Sequence, residues 1–153
     1  MVEYRQVRLA DNQTVIESFL REQWAETGDK GLSCKPHWAM YLDTEKAGRA
    51  FLLVAYSSAE GGRPIGYAAA FIHPHVNSID NLVGSIPTYY VEVRPGRAAI
   101  LRSLLSATLD ELRKRGAMQA NIKTEYAHSA DRLLRKMGFC PVEIGYKLPL
   151  TRE

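Results

Sequence analysis

Residues 89–116 read YYVEVRPGRAAILRSLLSATLDELRKRG, and the order of elements follows from them. Tyr89 to Val93 is an aromatic and β-branched run, which predicts a strand. Pro95-Gly96 breaks it, and the apolar spacing of Ile100, Leu101, Leu104, Leu105, Leu109 and Leu112 predicts one long amphipathic helix over residues 97–115. Asp110 and Glu111 each stand one turn ahead of a base, Lys114 and Arg115, and Gly116 stops the helix. The first N–H groups of a helix have no partner inside it, and the helix dipole favours negative charge in front of them. With Arg94 and Arg97 beside it, this turn suits a phosphate or pyrophosphate. The plainer reading is a buried strand and a core helix joined by a tight loop.

Upstream, residues 2–9 alternate as a first strand. Asp11 can cap a helix over 13–24, a polar loop spans 26–33, and Pro36 suits the first turn of a helix over 36–46. Residues 49–57 and 65–72 read as two strands of a hairpin, and residues 73–87 as a longer loop. Downstream come a short strand at 119–123, a helix capped by Ser129 and running to Met137, and a closing strand over 140–150. The order β-α-α-β-β-β-α-β-α-β predicts an α/β fold, one mixed sheet with helices on both faces and parallel strands on either side of the long helix. With 153 residues and no linker or repeat, a single domain over 1–153 is expected.

The composition, 46% hydrophobic and 24% charged, is that of an ordinary globular chain. A net charge of +3 with dispersed Arg and Lys argues against a nucleic-acid partner. No apolar run is long enough to cross a membrane, and the first residues lack the apolar core of a signal peptide. Cys34 and Cys140 are distant and in no CxxC pair, so free thiols in a cytoplasmic protein are expected, with neither a disulfide nor a zinc site.

This order resembles the GNAT superfamily, the acetyl-CoA-dependent N-acetyltransferases. VEVRPGRAAILRSLLSATLDELRKRGA is similar to that family's fourth strand, pyrophosphate loop and third helix. RLLRKMGFCPVEIGYKL is similar to its fourth helix, the Gly-Phe that commonly follows, and its final strand. The resemblance implies that the fourth and fifth strands splay, with pantetheine pairing along the main chain of Val91 to Val93. It places the pyrophosphate on Arg94 and the N–H groups of Gly96, Arg97, Ala98 and Ala99. Two positions depart from the family pattern. Arg97 stands at the middle glycine of the loop, and Leu134 stands where many members carry a tyrosine that protonates the departing thiolate. Tyr126 and His128, just upstream, are the substitutes for that acid.

Acetyl transfer to an amine needs a neutral amine, a polarised carbonyl and two reactants held together. Glu92, a carboxylate inside an apolar strand, is the candidate base. The alternative, given equal weight, is that it only pairs with Arg94 or another basic residue. His73 and His75 share a strand face and can relay a proton in a substrate pocket; with no third ligand, no metal is expected. Trp38 and Tyr41, on the second helix, are candidate walls of the acceptor pocket, with core packing favoured for Trp38. The resemblance thus implies transfer of acetyl from acetyl-CoA to a primary amine of a small molecule or protein, by direct attack in a ternary complex. The alternative is a GNAT-fold binding or regulatory module without catalysis. Oligomeric state stays open, although exposed edge strands of this fold often pair into homodimers.

Overall fold

The structure, a computed structural model, describes residues 1–28, 32–124, 130–143, 145–148 and 150. Five strands form one sheet in sequential order: β1 (Val2–Val7), β2 (Ala50–Ser57), β3 (Arg63–His75), β4 (Ser78–Val91) and β5 (Gln119–Ile122). The first four are antiparallel neighbours and β4–β5 is parallel, as the crossover through the long helix requires. The helices are α1 (Gln13–Thr27), α2 (Trp38–Lys46), α3 (Arg97–Lys114) and α4 (Asp131–Lys136).

The sheet is buried on both faces. On one, α3 lays Leu104, Leu105 and Leu112 against Phe51, Leu53, Ala70 and Ile86, and α4 adds Leu134. On the other, Ile16 and Phe19 of α1 meet Leu52, Val54, Tyr67 and Tyr90, with Trp38 and Tyr41 of α2 beside them. The buried residues of α3 lie on the stripe that its periodicity predicts, joined by Thr108, whose hydroxyl donates to Leu104 O at 2.8 Å. Such back-bonding lets a threonine sit in a core without an unpaired hydroxyl.

Several boundaries differ from the sequence reading. Residues 73–87 are no loop. β3 runs to His75, turns at Val76-Asn77, and returns as β4. The two prolines sit where a strand tolerates them. Ile72 N donates to Arg49 O at the very start of β2's side, so Pro74, turned the same way, lies past the end of β2 and no ladder bond is lost. Pro87 lies where the β3–β4 register slips by one residue, between Phe71↔Ser85 and Ala69↔Thr88, which is a β-bulge. α2 begins at Trp38 rather than Pro36, because His37 Nδ1 accepts the Met40 N–H at 3.2 Å. Asp11 sits in a short 3₁₀ turn, and Asn12 precedes α1. The described residues of the closing segment, 140–143, 145–148 and 150, form no strand, and Val142, Tyr146, Leu148 and Leu150 are exposed. Pro141 and Gly145 disfavour a regular ladder there.

Candidate functional site

The site is built where β4 leaves β5. Their ladder runs from Val83↔Gln119 to Ile86↔Ile122, while β4 continues past the bulge to Val91. Glu92 N donates to Ile65 O at 3.0 Å, so Glu92 turns its backbone toward β3. By alternation, Tyr89 and Val91 turn theirs to the opposite side, into the gap that opens beyond Ile86. The Tyr89 hydroxyl crosses the gap to donate to Lys123 O at 3.0 Å. Val91 is the last residue of β4, and Val93 lies beyond the strand with its side chain exposed.

The gap ends on the start of α3. Arg97 N donates to Arg94 O at 3.2 Å, closing a tight turn, and Gly96 adopts φ +76°. Among the described residues no side chain caps α3, and its first turn holds no acid. The Ala98 and Ala99 N–H groups therefore present an uncapped helix end. Arg97 does not crowd it. Its guanidinium lies 5.1 Å from the centre of the Tyr90 ring and donates to Glu26 Oε2 on α1 at 3.1 Å. The Tyr90 hydroxyl approaches both Glu26 and Glu22, at 3.0 and 3.2 Å. Burial, then the two carboxylates, push its ionisation well above the ordinary tyrosine range.

Glu92 sits in an ion cluster. Arg63 donates to both of its oxygens, at 2.8 and 2.7 Å, and Arg94 to one, at 2.8 Å; Glu60 binds the same two arginines. The cluster staples the β2–β3 hairpin to the β4–α3 loop. Hydrogen bonds from Arg63 hold the Glu92 carboxyl below the usual carboxylate range, against the opposing effect of burial. A carboxylate so engaged is a weak base, and its geometry is that of the ion-pair alternative. The depressed value means that this pairing stabilises the fold fully above the ordinary glutamate value of 4.5 and is lost as the pH falls through the lower folded value. Glu92→Gln is therefore expected to lower Tm at pH 7 and to flatten the fall of Tm below about pH 4.5. Parallel Tm–pH curves for the two proteins would contradict this. The Arg94 Nε is buried without a hydrogen-bond partner among the described residues.

His73 and His75 lie on β3 near its hairpin turn, and Trp38 and Tyr41 on α2. His73 Nδ1 lies 3.0 Å from Pro74 O and its Nε2 2.8 Å from Ser85 Oγ. A carbonyl only accepts, so Nδ1 carries the proton and Nε2 accepts from the Ser85 hydroxyl. His75 instead braces the hairpin turn, its Nδ1 accepting the Asn77 N–H at 3.1 Å. No metal-ligand group forms among the described residues. Trp38 and Tyr41 pack over the sheet, Tyr41 stacked on Phe71 at 5.7 Å. Tyr126 and His128 lie outside the described residues. Leu134 is a core residue of α4, so that position holds no proton donor.

Sequence reasoning missed Tyr67, Gln23 and Thr88. The buried Tyr67 hydroxyl contacts Gln23 Oε1 at 2.8 Å and Thr88 Oγ1 at 2.6 Å, beside the bulge. A lone tyrosine among the small residues of IGYAAAFI was the available signal, because a buried phenol needs a partner.

The overall fold superposes on solved acetyltransferases. Glucosamine-6-phosphate N-acetyltransferase from Arabidopsis thaliana superposes with a TM-score of 0.74 at 11% identity, over 99% of each chain. An aminoglycoside acetyltransferase from an uncultured soil metagenomic sample, solved with sisomicin, gives 0.72 at 15% identity, over 99% of this chain and 97% of that one. An acetyltransferase of Trypanosoma brucei gives 0.70 at 21% identity, over 98% and 100%. The chain has the GNAT acetyltransferase fold. No protein-family model matches its sequence, and no curated protein sequence matches it. In this GNAT fold the bulge at Pro87, the end of β4 at Val91 and the Gly96 turn follow one another along the chain into α3. Among the described residues no helix is long and apolar enough to cross a membrane.

Proposed function

We propose that this protein transfers the acetyl group of acetyl-CoA to a primary amine by direct attack in a ternary complex. The observation that carries this reading is that β4 runs on past the end of β5 toward an α3 that begins at a left-handed glycine. The residues present fit the cosubstrate. The Val91 backbone can pair with an amide-bearing chain, and the Ala98 and Ala99 N–H groups can meet a pyrophosphate. Bound there, acetyl-CoA supplies an activated thioester. The amine nitrogen bonds to the acetyl carbon, the carbon–sulfur bond breaks, and the proton lost by the amine ends on the thiol. His73, its tautomer set by Pro74 O and its Nε2 on Ser85, is better equipped than Glu92 to take that proton, directly or through Ser85. Tyr126 or His128 supplies the thiol's proton in this reading.

Thermal shift with acetyl-CoA, against dephospho-CoA and ATP, is the first test. Binding to the native state stabilises it by about 2.7 kcal/mol at a hundredfold excess over Kd. With turnover read as thiol release, His73→Phe is expected to lower kcat by about 10²-fold or more while keeping the acetyl-CoA shift. A wild-type kcat in that variant would remove His73 from the mechanism. A second reading, a binding module without turnover, has its own support: Arg94 and Arg97 are both already engaged with carboxylates. No shift at millimolar acetyl-CoA would favour it.

A further inference from the structure

β1 is an edge of the sheet, and among the described residues no strand pairs with its outer side. One bond fixes which of its backbone groups are free. The Ser58 N–H donates to Met1 O at 3.0 Å, in step with the Val2↔Ser57 register. Glu3, Arg5 and Val7 therefore turn their N–H and C=O groups toward β2, and by alternation Val2, Tyr4 and Gln6 turn theirs outward. The usual guards of an edge are a proline, a bulge or charges of one sign. The strand, VEYRQV, has no proline, its register with β2 is unbroken, and its two charges are opposite. Val2 and Tyr4 lean on the α3 core, and the Tyr4 hydroxyl reaches Ile100 O at 3.4 Å. Glu3 and Arg5 project from the other face, both exposed, and Arg5 Nε donates to Glu3 Oε2 at 3.1 Å.

We propose that β1 pairs antiparallel with β1 of a second copy about a twofold axis at Tyr4, which joins two five-stranded sheets into one. Tyr4 then faces Tyr4, and Val2 faces Gln6, as hydrogen-bonded pairs, so each outward N–H and C=O of these residues gains a partner. Glu3 of each copy faces Arg5 of the other. These are the non-hydrogen-bonded pairs, with Cα atoms about 4.5 Å apart, where side chains come closest. The charges also exclude the neighbouring registers. An axis at Glu3 sets Glu3 against Glu3, and an axis at Arg5 sets Arg5 against Arg5; like charges directly opposite are destabilising. An axis at Val2 or Gln6 leaves half of the strand without a partner. The edge is thus complementary to itself in one register.

Sedimentation equilibrium of the full chain, over a wide range of micromolar concentrations, tests this. The mass is expected to rise from that of one chain toward that of two. Glu3→Arg and Arg5→Glu each turn two attractive pairs into two repulsive ones, and each is expected to weaken the dimer by about tenfold or more. The double variant Glu3→Arg, Arg5→Glu restores the attraction and should return the affinity to that of the wild type. Gln6→Pro removes an outward donor and sets its ring on the free edge, where a strand tolerates proline; it should abolish the dimer and keep Tm near wild type. A monomer at every concentration would overturn the inference. So would a dimer that keeps its affinity in Gln6→Pro, or single reversals that the double variant does not rescue. No step of this test uses acetyl-CoA, so its outcome is separate from that of the acetyl-transfer reading.

Discussion

Gly66→Ala is expected to destabilise the protein by about 2–3 kcal/mol and to abolish acetyl-CoA binding together with it. Gly66 faces Val91 across a non-hydrogen-bonded pair of β3 and β4, where the chains approach most closely. A Cβ there would stand 2.6 Å from Tyr90 O and 3.0 Å from Val91 Cα. Both are backbone atoms, so no side chain can rotate away, and β4 itself must shift. That shift falls on the residues whose backbone borders the gap. Gly84→Ala is the matched control. Its Cβ would meet the Leu112 methyls at 2.7 Å, but that side chain can adjust, and the site lies on the α3 face of the ladder below the bulge. Urea denaturation and acetyl-CoA thermal shift on both variants make the comparison. At about 2–4 °C per kcal/mol for a chain of this size, Gly66→Ala should melt some 5–10 °C lower. Wild-type stability in Gly66→Ala would mean that the close approach is relieved elsewhere.

Gly96→Val should cost cofactor affinity rather than fold stability. Nothing lies within 4 Å of a Cβ at Gly96, so the penalty comes from its φ of +76° alone. Alanine there costs about 1–2 kcal/mol, and a β-branched residue more. Because the loop is exposed, the chain can escape that strain by leaving the left-handed turn. The Arg97 N–H then loses Arg94 O, and the Ala98 and Ala99 N–H groups no longer converge on one anion. Apparent affinity falls in proportion to the competent fraction. The acetyl-CoA affinity is expected to drop about tenfold in Gly96→Ala and beyond about 100-fold in Gly96→Val. Calorimetric titration with acetyl-CoA, beside a urea melt, reads both quantities. Equal affinities in all three proteins would show that this turn does not hold the pyrophosphate.

What the sequence by itself determined was local. The stripe from Ile100 to Leu112 predicts α3 because a helix repeats every 3.6 residues, and burial then falls on that stripe. The Pro-Gly break marks the turn because only glycine takes its φ without strain. The apolar run at 65–72, set off by the turn residues before it, also reads as a strand from the sequence alone. Tertiary structure alone decided the rest, because those features depend on which distant residues come to face one another. Residues 73–87 look like a loop for their two prolines. Their place in a hairpin depends on where β2 ends and where β4 bulges, which is a matter of register. That Arg63, far away in sequence, is a partner of Glu92 appears only in the fold. His73 and Ser85 become a pair only through the β3–β4 hairpin, and Tyr67, Gln23 and Thr88 only through the packing of α1 on the sheet. Each is a short-range polar contact between residues far apart in the chain, and no sequence period encodes such contacts.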